Sequence, residues 1–220
     1  CSGYLKNDTN FGNYFGKMYQ PRYLSGLAAG AMTESNKIGY VAAFPIPEVI
    51  RGINAFATGV KEVNPDATVE VVWTFTWFGP EAETQAANAL LETGVDVLAQ
   101  HQDSPSTGIA AEAAGAKWIS YNTAYGQDAA PGAFVTAPVW DWGPYYVEVV
   151  ESIVNDEFVA EAYWGGMETG LVSLYELSSD VPADTATLIS DRTEEIISGS
   201  FDPPIVEDEF IDNVIGTVNP

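Results

Sequence analysis

Basic residues are scarce in this chain: eight Lys and Arg stand against 31 Asp and Glu, a formal charge of −23 over 220 residues. A surface of that sign repels phosphate backbones and anionic headgroups, which excludes nucleic acid and acidic lipid as partners. Cysteine is almost missing. With Cys1 alone no intrachain disulfide can form. With a single histidine, His101, there is no Cys/His cluster at metal-ligand spacing. No apolar run approaches the roughly 20 residues that span a bilayer. No Asp-rich loop closed by Gly and Glu is present to hold calcium. The acid excess therefore reads as a solvated, salt-tolerant surface. Apolar residues, by contrast, make up 46% of the chain, enough for the core of one ordinary domain or two small ones.

The chain is organised around the stretch Ile38 to Val60. A short apolar run, Ile38 to Ala43, reads as a buried strand. Pro45 and Pro47 then stiffen a loop carrying Phe44 and Ile46, because each proline fixes its φ and restricts its predecessor. From Glu48 the apolar residues Val49, Ile50, Ile53, Phe56 and Val60 fall on one helical face. Pro47 suits a first helical position, and Glu48 complements the positive end of the helix dipole. In an open α/β sheet, a loop leaving the carboxyl end of a strand is where ligands bind.

The alternation continues. Strands are predicted at Val69–Trp73, Val95–Ala99, Lys117–Tyr121 and Phe134–Val139, and helices at Glu48–Val63, Glu81–Thr93, Gly108–Ala114 and Pro144–Asn155. Near-continuous apolar strands between amphipathic helices argue for an α/β fold, a parallel sheet covered on both faces. Gly94 and Gly115 stand where helices end in a left-handed residue. Asn10 to Met32 has near-helical spacing interrupted by Pro21: either a kinked helix, or a short turn followed by a helix starting near Pro21. Gly26 and Gly30 would allow close packing on the sheet. Beyond Asn155 the pattern weakens to a glycine-rich turn entering a strand (Tyr163 to Leu174), a helix from Thr187 to Ser198 ended by Gly199, and a Pro-broken acidic tail expected to be loop.

Aromatic residues gather at the loops after the strands: Phe44, Trp77, Phe78, Tyr121, Tyr125, Trp140, Trp142 and Trp164. Such rings either fill a core or stack on a flat ligand. His101-Gln102-Asp103-Ser104 contains all three triad residue types, but neighbours in one loop do not form the hydrogen-bonded chain of nucleophile, base and orienter. The loop is read instead as a strand end offering His101, Gln102 and Asp103 to a ligand, or as a solvated cap. Glu48 and Arg51, three residues apart, form either an exposed ion pair or a ligand contact. Neither an acid–base pair nor a metal cluster points to catalysis, and no cofactor is implied.

The sequence resembles the basic membrane lipoprotein family of ABC-transporter substrate-binding proteins, which includes the purine-nucleoside receptors. The resemblance is carried by Ile38 to Val60, Val71-Val72-Trp73-Thr74-Phe75-Thr76-Trp77-Phe78, Gly94 to His101, and Val139-Trp140-Asp141-Trp142-Gly143-Pro144-Tyr145-Tyr146, and it runs from about Gly12 to Leu174. It implies a periplasmic-binding-protein type I fold, with two lobes closing over a ligand. Cys1-Ser2 looks like the start of a mature lipoprotein, yet the residues after it resemble the middle of the family. The resemblance therefore implies a chain lacking the opening elements of the first lobe, with one complete lobe and part of the other.

On that reading, residues 1–36 are a remnant of the first lobe, 37–121 the second lobe, 122–158 a return to the first, 159–200 second lobe again, and 201–220 a tail. The segments near Cys1–Met32 and Phe134–Asn155 should then expose apolar faces. Trp77 matches a base-stacking Phe of the nucleoside-binding members, in a Ser-Phe-x-Asp motif that reads Thr76-Trp77-Phe78-Gly79 here. Asn122 matches an Asp that contacts the ligand, and Trp140 a Lys that holds the sugar. The implied ligand residues are Phe44, Trp77, His101, Asp103, Asn122, Trp140 and Trp142. The implied function is a monomeric, non-catalytic receptor that delivers a purine-type base or nucleoside to a membrane permease. Its implied location is the periplasm or outer face of the plasma membrane, lipid-anchored in the full-length protein. A nucleoside or sugar hydrolase and the sensing domain of a regulator are the rival readings.

Overall fold

Strand β1 (Asn13–Gly16) opens the fold and runs into helix α1 (Tyr19–Met32), in a computed structural model that describes residues 1–216. There follow β2 (Lys37–Ala42), α2 (Pro47–Val63), β3 (Thr68–Trp73), α3 (Pro80–Glu92), β4 (Val97–His101), α4 (Ser106–Ala114) and β5 (Lys117–Ile119). The chain then forms α5 (Gly126–Ala129), β6 (Phe134–Thr136), β7 (Pro138–Trp140), α6 (Gly143–Val154) and β8 (Ala162–Gly165). After a 3₁₀ turn at Met167–Thr169 come β9 (Val172–Leu174), α7 (Ala183–Ser198) and β10 (Val214–Gly216).

Six strands in the order β10-β3-β2-β4-β5-β6 make one sheet, and every pairing in it is parallel. Alternate residues of its strands serve two cores. Tyr40, Ala42, Val97 and Ala99 pack with Leu24, Leu27, Ile53, Phe56 and Ile189 of α1, α2 and α7 on one face. Val41 and Leu98 pack with Leu90, Ala111 and Trp118 on the other, under α3 and α4. The predicted two-faced parallel sheet is the observed one. Beside it, β1 pairs with β8 in parallel and β7 with β9 in antiparallel.

The differences from the sequence reading have physical reasons. Phe11, Tyr14 and Phe15 do not open a helix: β1 is extended and paired to a strand almost 150 residues away, so α1 begins two residues before Pro21 and no kink is needed. Gly26 and Gly30 face α2 rather than the sheet. A Cβ at Gly26 would lie 2.0 Å from the Phe56 carbonyl, and Gly59 returns the fit against Tyr23 O at 2.1 Å. Helix α1 is therefore buried from Tyr19 to Gly30, so within Cys1–Met32 the expected exposed apolar residues are found only ahead of it, at Tyr4, Leu5 and Phe11. On α6 the expectation holds: no residue of that helix is buried, and Val147, Val150, Ile153 and Val154 face outward.

The predicted strand at Phe134–Val139 is two, because the chain changes sheet at Ala137. The six-stranded sheet thus draws β6 from the 122–158 stretch and β10 from the tail. The tail is tied down rather than loose, since Asn54 Nδ2 donates to Val206 O and Glu209 O at 2.9 and 2.8 Å and Lys61 pairs with Asp212. The last part of that expected loop, residues 217–220, lies outside the described residues.

Candidate ligand-binding site

Chain order reverses at β2, whose neighbours are β3 and β4. Parallel strands that depart to opposite sides leave a crevice at their carboxyl ends. There the loops after β2, β3, β4 and β5 converge on a cavity of about 670 Å³. Its walls are Phe15, Trp77, Tyr121, Trp140 and Trp142, with Ile46 at the mouth. Its polar side chains include Glu48, Arg51, His101, Asp103, Asn122 and Thr123, and the N-terminal residues Cys1, Ser2 and Gly3 also line it.

Six of the seven residues picked from the sequence line this one cavity. The seventh, Phe44, stands behind it and packs on Trp77, with ring centroids 5.4 Å apart. Trp77 itself is 40% exposed, which a core tryptophan would not be. In the same lining Trp140 and Trp142 stack at 4.7 Å and 13°.

The polar residues are already partnered in ways that restrict what each offers. Asn122 has φ +70°, a left-handed conformation that asparagine tolerates better than most residues. In that pose its Nδ2 donates to Asp103 Oδ1 at 2.6 Å and its Oδ1 accepts from Trp140 Nε1 at 3.0 Å. Both ends of the amide are engaged, so Asn122 orients Asp103 and Trp140 and leaves the second Asp103 oxygen free to accept from a ligand. Asp103 is held from below as well, its N–H donating to Trp77 O at 2.9 Å.

Glu48 and Arg51 do not pair with each other. Arg51 pairs with Glu207 of the tail and lies 5.3 Å over the Trp164 ring. Glu48 Oε2 lies 3.4 Å from Nε2 of His101, a side chain only 2% exposed. Burial alone would raise the Glu48 carboxyl, but its contact with His101 and the positive charges of Arg22 and Arg51 hold it below the usual range. Burial lowers His101 and Arg22 adds to the effect, while Glu48 opposes it. The wall thus presents a carboxylate braced by a neutral imidazole.

Two further residues matter that the sequence reading passed over. Arg22 is fully buried behind the cavity, its guanidinium 3.9 Å over the Tyr121 ring and one N–H donating to Gln100 O at 2.6 Å. Periodicity could not flag it, because it sits among apolar residues of α1. Glu83 is also fully buried. It accepts from Gly79 N and Ser104 Oγ, which joins the Trp77 loop to the Asp103 loop. Burial raises its carboxyl. Among the described residues no group of three His, Cys, Asp or Glu could hold a metal ion.

An open parallel sheet with an aromatic cavity at its switch point defines the class: a ligand-binding protein of the periplasmic-binding-protein type I fold. A solute-binding protein of an ABC transporter system from Conexibacter woesei superposes with a TM-score of 0.73 at 24% identity, over 91% of this chain and 67% of that one. The chain belongs to the PnrA-like ABC transporter substrate-binding family, whose family model matches residues 1–202. It is 44% identical over 202 residues to TsgA13 of Haloferax volcanii, named as an ABC transporter glucose-binding protein. It is 35% identical over 208 residues to a purine-binding protein of Brucella abortus. These alignments cover 92% of this chain but 51% and 57% of the relatives, so the chain spans about half the length of the curated relatives it matches.

Proposed function

We propose that the protein is the solute-capturing receptor of an ABC importer, and that its ligand is a small planar heterocycle of the purine type. The observation that carries this is the pairing of flat aromatic walls with carboxylate acceptors. Trp77 and the stacked Trp140 and Trp142 line the same cavity, with the carboxylates of Glu48 and Asp103 among its polar groups. A base presents π-faces to the indoles and N–H groups to the carboxylates, and each base–aromatic stack is worth about 1–3 kcal/mol. Trp140 replaces the lysine that the family resemblance placed against the sugar. The ammonium donor to ribose hydroxyls is gone and a second apolar face stands in its place. That favours a free base over its nucleoside.

A sugar is the second reading. The 44% identical relative is named for glucose, and the same carboxylates would accept from ring hydroxyls. On either reading the protein acts outside the cytoplasmic membrane as a monomer without catalysis, anchored by lipid in its full-length form, and a membrane permease takes the ligand. The exposed apolar face of α6 then packs against the rest of a first lobe, and lobe closure signals occupancy.

Native mass spectrometry of the freshly purified protein tests the proposal by weighing any co-purified ligand. A mass increment of a purine base supports it. A hexose increment transfers the assignment to the sugar reading.

A further inference from the structure

Most glycines inside the long helices are explained by packing. A Cβ would meet neighbouring atoms at 2.0 Å at Gly26, 2.7 Å at Gly30, 2.1 Å at Gly59 and 2.2 Å at Gly108. Gly52, in the interior of α2, is different. The atoms nearest to a Cβ there are His101 Nδ1 at 3.7 Å and Arg22 Nε at 3.8 Å, ordinary contact distances. Alanine fits, and alanine is the better helix former. Steric crowding does not account for this glycine.

The two nearest polar atoms share another property. Arg22 Nε and Nη2, His101 Nδ1 and the Tyr40 hydroxyl are all buried and have no hydrogen-bond partner within the protein. Such groups are rarely left unpaired, because a desolvated donor or acceptor loses its water without return. Nε and Nη2 form one edge of the guanidinium, which offers donors only. His101 turns Nε2 toward the Glu48 carboxylate, so Nε2 carries the proton and Nδ1 is an acceptor. Whatever satisfies both sides must accept from Arg22 and donate to His101. A halide accepts but cannot donate, and a metal cation is repelled by the guanidinium. Water does both, and buried waters typically make about three hydrogen bonds to polar partners of this kind.

We propose that Gly52 keeps open a site for one structural water that bridges the free edge of Arg22 to Nδ1 of His101. The water fixes His101 with its proton on Nε2, His101 fixes Glu48, and Glu48 forms the cavity wall. Arg22 and Gly52 are thereby positioning residues for a site they do not touch. This holds whichever ligand the cavity takes.

The test compares Gly52→Ala and Gly52→Ser with the unsubstituted protein. Helix propensity alone orders the melting temperatures Ala above Ser above Gly. The water site reverses this: Ala expels the water and leaves the buried Arg22 edge and His101 Nδ1 unpaired together, a loss larger than the helix-propensity gain, for a net fall in Tm of about 2–4 °C. Ser puts a hydroxyl where the water was and stays within about 1 °C of Gly. His101 is the sole histidine, so its ring ¹⁵N shifts are read without ambiguity. They should report the Nε2–H tautomer in the Gly and Ser proteins and move in the Ala protein. Without any substitution, a cross-peak between a long-lived water and the His101 ring is expected. An Ala variant more stable than Gly with unchanged His101 shifts overturns the proposal, as does absence of the water cross-peak. So does a Tm of the unsubstituted protein that rises with chloride over gluconate at equal ionic strength and ceases to do so in Gly52→Ala, which would make the occupant a halide.

Discussion

Trp77 is a large ring that its own fold leaves partly uncovered. Its ring is backed by Phe44 and 40% open to the cavity. Trp77→Ala is expected to weaken ligand binding by about 1–3 kcal/mol. Its ligand-free melting temperature should stay close to that of the parent, where truncating a core tryptophan costs about 3–5 kcal/mol. Titration calorimetry and thermal melts on the same variant separate the two, and a large stability loss with unchanged affinity would return Trp77 to the core. At His101 the expected signature is in pH. Burial lowers its proton affinity in the folded state, Arg22 lowers it further, and Glu48 and Asp103 oppose them. The unfolded chain therefore binds the extra proton first, and stability present above about pH 6.5 is lost as pH falls below it. One group contributes at most about 1.4 kcal/mol per pH unit. His101→Gln should lose less Tm than the parent between pH 7.5 and 5.5, and parallel profiles would contradict the assignment.

At the scale of elements, the cavity depends on loops that are locked to one another. Glu83, from the first turn of α3, accepts from Gly79 and Ser104 and so fixes the loops carrying Trp77 and Asp103. Glu83→Ala leaves both donors without this acceptor. It should cost about 1–3 kcal/mol of stability and also weaken a ligand that Glu83 never touches. Melts and titrations check this, and a variant with unchanged affinity would show that the loops hold without the link. Most of the elements were legible in the sequence, because β2 to β5 are largely apolar, broken by few polar residues such as Glu70 and Gln100, and α2 and α3 start at Pro47 and Pro80. Where the reading failed, the deciding partner was distant. Tyr14 and Phe15 fit a helical spacing as well as a strand, and only pairing with Tyr163 and Trp164 decides. The tail looked unstructured until Asn54 and Lys61 of α2 gave it partners. The site was legible as loops at strand ends carrying aromatics. The roles of Asn122, Arg22 and Glu83 were not, since each is set by contacts across the sheet.

For the molecule as a whole, the charge of −23 is a self-repulsion that salt relieves. The few bases are already committed: Arg51 to Glu207, Lys61 to Asp212, Lys117 to Asp180 and Arg192 to Glu62 and Glu195. Raising NaCl from about 0.1 to 1 M shortens the screening length from roughly 10 to 3 Å, so melting temperature should rise with salt. A fall would mean that these pairs outweigh the repulsion. The central proposal is that the cavity prefers a flat ligand with N–H donors. A displacement titration of adenine, guanine and xanthine against their nucleosides and against glucose measures that preference directly. The account predicts that at least one free base binds more tightly than its nucleoside, with glucose the weakest. Tight glucose binding with no response to any purine, or nucleosides binding more tightly throughout, would contradict it.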